Sequence, residues 1–221
     1  MSWESTVPYY QTINRVVSRR LGGLHSARVV LYSVDFHDIE QRQHAGQWDE
    51  TAEILSEAAQ ALKRAGADFL VLCTNTMHKV AGEIESASGL PLLHIAEPTA
   101  ERIRHRGFRR VGLLATRFTM EQDFYRGRLT ARHGLEVLVP PPAERDIIHR
   151  VIYDELCLGI VNETSRDAYR RISQNVIDSG AEAIILGCTE IGMLLRDGDA
   201  TVPLFDTTFI HAEAAADLAL S

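Results

Sequence analysis

The chain has 221 residues, of which 45% are hydrophobic and 24% are charged, so it can bury a sizeable core in one large domain or two smaller ones. Its 23 basic and 30 acidic residues give a net charge of −7, without the basic clusters that neutralise nucleic-acid phosphates. We therefore expect no nucleic-acid partner, and this composition excludes a disordered or collagen-like chain.

No apolar run approaches the ~20 residues that a membrane-spanning helix needs. The first residues have neither the basic nor the apolar segment of a secretion signal, so we expect a cytoplasmic protein with no membrane partner. The three cysteines are too few, and odd in number, for a disulfide framework. We expect them to be reduced thiols.

Short apolar runs alternate with amphipathic helical stretches along the chain. Seven runs are too short for helices and are predicted to be strands: residues 29–33, 69–73, 92–95, 111–115, 136–139, 183–186 and 204–206. Their hydrophobicity is continuous, which is typical of parallel strands buried on both faces. The alternation of strands and helices predicts an α/β fold.

Residues 65–74 and 179–189 repeat one pattern. A predicted helix ends at Gly, an acidic residue follows, and an apolar strand then leads to Cys-Thr. We predict two pseudosymmetric lobes, each a parallel sheet flanked by helices and each with one Cys-Thr at a strand end. The first lobe is expected to comprise residues 1–97 and 203–221, and the second lobe residues 98–202.

The cysteines of this repeat, Cys73 and Cys188, each end a predicted strand, where ligands bind in open parallel sheets. A helix is predicted to follow each, and the positive end of a helix dipole should lower the pKa of the thiol. Two activated thiols can remove a proton from one face of a carbon centre and deliver one to the other face. This isomerisation requires no metal or cofactor. Cys157 lacks this context and is predicted to be a core residue.

The segments Cys73-Thr-Asn-Thr-Met-His and Gly187-Cys-Thr-Glu-Ile resemble the paired signatures of the aspartate/glutamate racemase superfamily. Ser2-Trp-Glu-Ser-Thr, Leu21-Gly-Gly-Leu-His and Thr119-Met-Glu-Gln-Asp-Phe-Tyr resemble its broad-specificity amino-acid racemase branch. The resemblance covers essentially the whole chain. It implies two α/β lobes with the site in the cleft, no pyridoxal phosphate, an amino-acid substrate and a homodimer.

By this resemblance, Cys73 and Cys188 are the two acid/base thiols. The positions that hold the substrate's α-carboxylate and amino group are Thr74, Asn75, Thr76 and Thr189. Ser2 and Phe36 are further candidate substrate-binding residues. Thr116 and Thr119 either bind substrate or cap the helix that follows them.

The chain departs from the family pattern in two ways. The family begins with a strand and Gly-Gly ahead of the segment that matches Met1, and this first strand is missing from the sequence, so we expect lower stability than in a version extended upstream. Aspartate-specific members carry an Arg and a Lys where this chain has Phe36 and Leu158. Because an acidic side chain would lack a charge partner there, we expect a substrate with a neutral side chain.

The leading hypothesis is a cofactor-independent amino-acid racemase of broad specificity. Alternatives within the superfamily are an aspartate- or glutamate-specific racemase, a hydantoin racemase and a cis–trans diacid isomerase. A non-catalytic, two-lobed small-molecule-binding protein is the alternative from another class, and a redox sensor would require a disulfide between Cys73 and Cys188. Glu190 either assists Cys188 or interacts with a helix dipole as a first-turn residue.

Overall fold

In a computed structural model of the protein, which describes residues 1–221, helices and short strands alternate. In chain order the elements are α1 (Trp3–Leu21), α2 (Phe36–Ala45), α3 (Trp48–Arg64), β1 (Leu70–Val71), α4 (Ala81–Ser88), β2 (Leu92–Leu93), α5 (Ala96–His105), β3 (Arg110–Ala115), α6 (Arg117–Glu121), α7 (Asp123–His133), β4 (Glu136–Leu138), α8 (Pro142–Asp154), α9 (Glu163–Asp178), β5 (Ala183–Gly187), α10 (Ile191–Leu194), β6 (Leu204–Asp206) and α11 (Thr207–Ala219). Two 3-10 helices, Thr76–Val80 and Leu156–Leu158, precede α4 and follow α8. None of the helices combines the length and the hydropathy that crossing a membrane requires.

The larger sheet has four parallel strands in the order β4-β3-β5-β6. At its centre, Val111 pairs with Ala183 and Leu114 pairs with Leu186. Every residue of β5, and all of β3 after Arg110, is buried, so both faces of the sheet are covered. The predicted α/β fold with buried parallel strands is confirmed.

The smaller sheet has two parallel strands, β1 and β2, in which Leu70 pairs with Leu92. Its core is separate from that of the larger sheet and includes Ile39, Leu55 and Ile84 from α2, α3 and α4. The two lobes therefore share the repeated strand and Cys-Thr, but their sheets differ in size.

The predicted strand at residues 29–33 is wrong. This run has no regular secondary structure and makes no backbone hydrogen bond. The side chains of Val29, Val30, Leu31 and Tyr32 are 42% to 59% exposed. A strand forms only where a neighbouring strand pairs with its backbone N–H and C=O groups, and no strand lies beside this run.

An apolar groove of about 1070 Å³ adjoins the unpaired run. Helices α1, α3 and α11 contribute to its wall together with β1, and 29 of its 36 lining residues are hydrophobic. The run 29–33 and the strand β1 thus line one groove with no strand between them.

The last helix, α11, returns to the first. Asp206 caps α11 by accepting hydrogen bonds from the N–H groups of Thr208 and Phe209. Val16 and Val17 of α1 form a small core with Ala216 of α11. The chain leaves the larger sheet after Asp206, because β6 pairs with β5. The division into a first lobe of residues 1–97 and 203–221 and a second lobe of residues 98–202 stays a prediction.

Candidate active site

Cys73 and Cys188 both follow parallel strands. Cys73 lies two residues after the end of β1, and Cys188 comes directly after β5. The Cys73 side chain is half-buried and its Sγ donates a 3.5 Å hydrogen bond to the backbone carbonyl of Val71. Cys188 is only 8% exposed. Both thiols therefore lie at carboxyl ends of strands, where the sequence places them.

Glu190 is in direct contact with the thiol of Cys188. Cys188 Sγ donates a 3.0 Å hydrogen bond to Glu190 Oε2, which also accepts one of 2.8 Å from the hydroxyl of Thr189. Glu190 Oε1 accepts a 2.7 Å hydrogen bond from the hydroxyl of Ser2 and lies 3.5 Å from the Met1 ammonium. Ser2 thus reaches the thiol of Cys188 through the carboxylate of Glu190.

The carboxylate of Glu190 is ionised although the residue is only 1% exposed. Burial alone would raise the pKa of Glu190, but the Met1 ammonium and the hydrogen bonds from Cys188, Ser2 and Thr189 outweigh it and lower the pKa to about 2. A permanent negative charge therefore lies beside the Cys188 thiol.

The pKa values of both thiols are raised, so the prediction that helix N-termini activate them is wrong for the free protein. Burial raises the pKa of Cys73 to about 12, and the Met1 ammonium offsets only part of this rise. Burial raises the pKa of Cys188 well above its ordinary value, and negative charge on Glu190 and Cys157 raises it further. The helices that follow are too short to compensate: a five-residue 3-10 helix, Thr76–Val80, and the four-residue α10.

Three buried threonines connect the loop after β1 to the start of α6. The hydroxyl of Thr76 lies 2.9 Å from that of Thr116 and 3.3 Å from that of Thr119, and the latter two are 3.1 Å apart. Thr116 also accepts a hydrogen bond from the N–H of Thr119 and caps α6. The structure thus brings these predicted residues together as a threonine trio.

Asn75 has one free hydrogen-bonding group. Its Nδ2 donates a 3.0 Å hydrogen bond to the hydroxyl of Thr207, whereas its Oδ1 is buried without a partner. The neighbouring Thr74 is buried, and its carbonyl accepts a 2.7 Å hydrogen bond from Nδ1 of His78. An unpaired buried acceptor is costly in a folded protein, so Asn75 Oδ1 is suited to a ligand donor.

Phe36, at the start of α2, stacks on Tyr153 of α8 with ring centroids 6.3 Å apart and planes 12° apart. The Tyr153 hydroxyl donates a 2.9 Å hydrogen bond to Gln43 Oε1, so α2 and α8 are linked twice. Leu158, the other apolar replacement, is 66% exposed and is not part of this contact.

Two threonines that are not among the predicted site residues connect the two cysteine segments. Thr207 accepts from Asn75 and donates a 2.8 Å hydrogen bond to the carbonyl of Leu186 in β5. Thr208 donates a 3.2 Å hydrogen bond to the carbonyl of Thr189. The sequence held a signal for these two residues, because Asp206-Thr-Thr stands at the end of the last apolar strand. Parallel strands place that end at the same sheet edge as Cys188.

The buried Met1 ammonium is within electrostatic reach of three thiols. Negative charge on Cys157, Cys188 or Cys73 raises the pKa of this ammonium, in addition to the effect of Glu190 and against the effect of burial. Cys157 itself is half-buried against the core of the larger sheet. No group of three or more His, Cys, Asp and Glu side chains is arranged to hold a metal ion.

The family model for Asp/Glu/Hydantoin racemases matches residues 1–215. A protein from Yersinia pestis with a known crystal structure, provisionally named an Asp/Glu racemase, is 60% identical in sequence to this chain. The two structures align with a TM-score of 0.91 over 100% of this chain and 96% of the Yersinia pestis chain. An aspartate racemase homologue from Pyrococcus horikoshii OT3 is 33% identical in sequence to this chain. Its structure aligns with a TM-score of 0.82 over 99% of this chain and 95% of the homologue.

Among characterised relatives, the broad specificity amino-acid racemase RacX of Bacillus subtilis (strain 168) is 26% identical over 169 residues, which are 75% of this chain and 71% of RacX. The family match extends over both cysteine segments. The structural similarity extends over both lobes, since the Yersinia pestis and Pyrococcus horikoshii structures each align with at least 99% of the chain. The chain therefore belongs to the Asp/Glu/Hydantoin racemase family.

Proposed function

We propose that this protein is a cofactor-independent amino-acid racemase in which Cys73 and Cys188 act on opposite faces of the substrate Cα. The observation that carries the proposal is that each lobe contributes a thiol at the carboxyl end of a parallel strand and that hydrogen bonds of Thr207 to Asn75 and Leu186 join the two cysteine segments. The racemase names of the relatives support the reaction type.

Racemisation begins when one cysteine, as a thiolate, takes the α-proton and becomes a thiol. The other cysteine then donates its proton to the opposite face of the carbanion, which inverts Cα and leaves a thiolate on that cysteine. The reverse reaction uses the same two residues with exchanged roles. One cysteine therefore accepts the proton that leaves Cα, and the other supplies the proton that replaces it.

The substrate's ammonium group has an acceptor in Asn75, whose buried Oδ1 lacks a partner. The hydroxyls of Thr74, Thr189 and the threonine trio are the candidate donors to the α-carboxylate. The positive charge of the bound ammonium would lower the pKa values of the thiols, which burial has raised in the free protein. Substrate binding would thus promote formation of the reactive thiolate.

We further propose that the substrate side chain is neutral and that several amino acids are accepted. Phe36 stacks on Tyr153 at the position where the resemblance implies an Arg for a side-chain carboxylate. A carboxylate placed against two aromatic rings would lose hydration without gaining a charge partner, which costs several kcal/mol by transfer measurements, about 2–7 even for a neutral polar group. An aspartate-specific racemase is the alternative that this pair of aromatic rings disfavours.

Proton NMR in heavy water tests the proposal, because racemisation replaces the Cα proton with solvent deuterium. A panel of uncharged amino acids, measured as both enantiomers beside aspartate, should lose the Cα–H signal, with aspartate among the slowest. Loss of enantiomeric excess, followed on a chiral column, separates inversion from exchange alone.

The variants Cys73→Ser and Cys188→Ser supply the decisive controls. Exchange that continues in the double variant would remove the thiols from the mechanism. Binding of amino acids without any exchange in the unmodified protein would favour a small-molecule-binding protein. A clear preference for aspartate would overturn the neutral side chain but not the racemase.

A further inference from the structure

We infer that the two thiols are unequal: Cys73 loses its proton at a lower pH than Cys188 and is the first base of the proposed reaction, whereas the Glu190 carboxylate holds Cys188 as the protonated acid. The names acid and base rest on the proposed racemase function. The order in which the thiols ionise is a property of the free protein and is testable without substrate.

The contact at Cys188 carries the inference. Its Sγ–H donates directly to Glu190 Oε2 over 3.0 Å, and both residues are buried. The hydroxyls of Ser2 and Thr189, together with the Met1 ammonium, keep the carboxylate ionised. If Cys188 lost its proton, two negative charges would lie in contact with little solvent between them, and this arrangement strongly disfavours the thiolate.

Cys73 has different surroundings. Its Sγ contacts the neutral carbonyl of Val71 at 3.5 Å, and its side chain is half-buried, so solvent can stabilise a thiolate more easily. The Met1 ammonium favours ionisation of both thiols, but only Cys188 also has a carboxylate in contact with its sulfur. Three titratable groups act on Glu190: the Met1 ammonium, Cys188 and the more distant Cys157. None of them protonates the carboxylate, so its negative charge stays beside Cys188.

The inequality gives the reaction a direction in its first turnover. The enantiomer whose α-proton faces Cys73 meets a base directly: the Cys73 thiolate takes that proton, and the Cys188 thiol donates its own to the opposite face. The negative charge has then moved to Cys188, beside Glu190. Proton uptake from solvent at Cys188 and proton loss at Cys73 restore the resting form. The other enantiomer reacts only after this charge has been placed on Cys188.

Alkylation by iodoacetamide across a pH series, with peptide mass spectrometry for each cysteine, measures the order of ionisation in the unmodified protein. The pH midpoint of each profile reports the thiol pKa, while accessibility changes only the plateau. We expect a lower midpoint for Cys73 than for Cys188. An equal or lower midpoint for Cys188 would overturn the inference.

The variant Glu190→Gln removes the charge and keeps the shape of the side chain. The Cys188 midpoint should fall by at least about one pH unit, a tenfold faster alkylation at fixed pH, while the Cys73 midpoint changes less. Glu57→Gln, an exposed residue of α3, is the matched control and should change neither. An unchanged Cys188 midpoint in folded Glu190→Gln contradicts the inference, and if this variant does not fold the unmodified protein decides alone. If the thiols ionise in the expected order but the protein does not racemise amino acids, the proposed function is wrong and the inference about the thiols stands.

Discussion

Asn75 and Thr207 are joined by a 3.0 Å hydrogen bond that ties the loop after β1 to the first residue of α11. Thr207 also donates to the carbonyl of Leu186, two residues before Cys188. One buried hydroxyl therefore connects the segment of Cys73 with the strand that carries Cys188. This connection fixes the spacing of the two segments that the proposed reaction requires.

Thr207→Val should weaken both stability and substrate binding, because it keeps the shape but removes the hydroxyl. The buried Nδ2 of Asn75 would then lack an acceptor, and the carbonyl of Leu186 would lose one donor. An unsatisfied buried group costs about 1–3 kcal/mol. We expect a lower melting temperature and a higher KM, while Thr207→Ser retains the hydroxyl and should resemble the unmodified protein. Equal KM values for the Val and Ser variants would show that Thr207 does not position Asn75.

The strands and the cysteine repeat could be predicted because their signals are local. The runs 111–115 and 183–186 are continuously apolar, and in the structure they form the centre of the larger sheet. Cys73 and Cys188 follow strands closely, near where they are predicted, since the apolar run and the Cys-Thr that follows it are read directly from neighbouring residues.

The surroundings of Glu190 could not be predicted in the same way. Ser2 and Glu190 are separated by 188 positions, and only the folded chain brings the hydroxyl to the carboxylate. The raised pKa values of the thiols also follow from burial in the assembled fold, which outweighs the short helices expected to lower them. The run 29–33 has strand composition, but pairing depends on a neighbour that its own residues do not specify.

Gly192 is required for close packing next to the cap of α11. A Cβ at this position would lie 2.0 Å from Oδ2 of Asp206, and Oδ1 of the same carboxylate accepts hydrogen bonds from the N–H groups of Thr208 and Phe209. Gly192→Ala must therefore displace the capping carboxylate, and we expect a loss of about 2 kcal/mol, or about 4–8 °C in melting temperature.

Gly82→Ala is the matched control for Gly192→Ala. Gly82 lies in α4, and its Cβ would meet nothing within 4 Å, so the same change should stabilise the helix slightly, by roughly 0.5–1 kcal/mol. Thermal unfolding of both variants separates the steric effect from the effect of replacing any helical glycine. Equal shifts in the two variants would contradict the role assigned to Asp206.

Three buried histidines should make the protein less stable in mild acid. Burial lowers the pKa of His94 to about 3 and that of His211 to about 4, and lowers the pKa of His78 well below its ordinary value. Between pH ~6.5 and ~4 the unfolded chain binds protons at these residues that the folded protein does not, so stability is complete above this window and falls through it. Asp206 has the opposite effect on stability, because burial raises its pKa to about 6. Below this pH the folded protein binds a proton at Asp206 that the unfolded chain does not bind until the pH is lower.

Urea unfolding at several pH values measures this dependence. The net excess of about two protons that the three histidines and Asp206 give the unfolded chain predicts a loss of roughly 2–3 kcal/mol for each pH unit in the middle of the window. The partly exposed His149, whose pKa burial lowers to about 4, steepens this loss. His211→Gln removes one of the three histidines and should reduce the slope, whatever its effect on stability at neutral pH. A slope that is unchanged in this variant would show that His211 titrates normally in the folded protein.

The groove beside residues 29–33 predicts that an added strand would stabilise the fold. Both the run and β1 line the groove and lack a strand between them, and 29 of its 36 lining residues are hydrophobic. Met1 also lines the groove, so a segment fused ahead of it can enter the groove. A segment of about five β-branched residues would pair with the run 29–33 on one side and with β1 on the other, and would bury its side chains. A net gain of about 2 kcal/mol would raise the melting temperature by about 4–8 °C.

The comparison needs a second fusion, because any residue ahead of Met1 replaces the ammonium beside Glu190 with a peptide N–H. A Gly-Ser segment of the same length makes that replacement too but offers no apolar side chains and little strand propensity. The apolar fusion should therefore melt above the Gly-Ser fusion, and hydrogen exchange at residues 29–33 and in β1 should slow only in the former. Equal melting temperatures and equal exchange would show that the groove does not accept a strand, and the exposure of Val29 to Tyr32 would then be a stable feature of this surface.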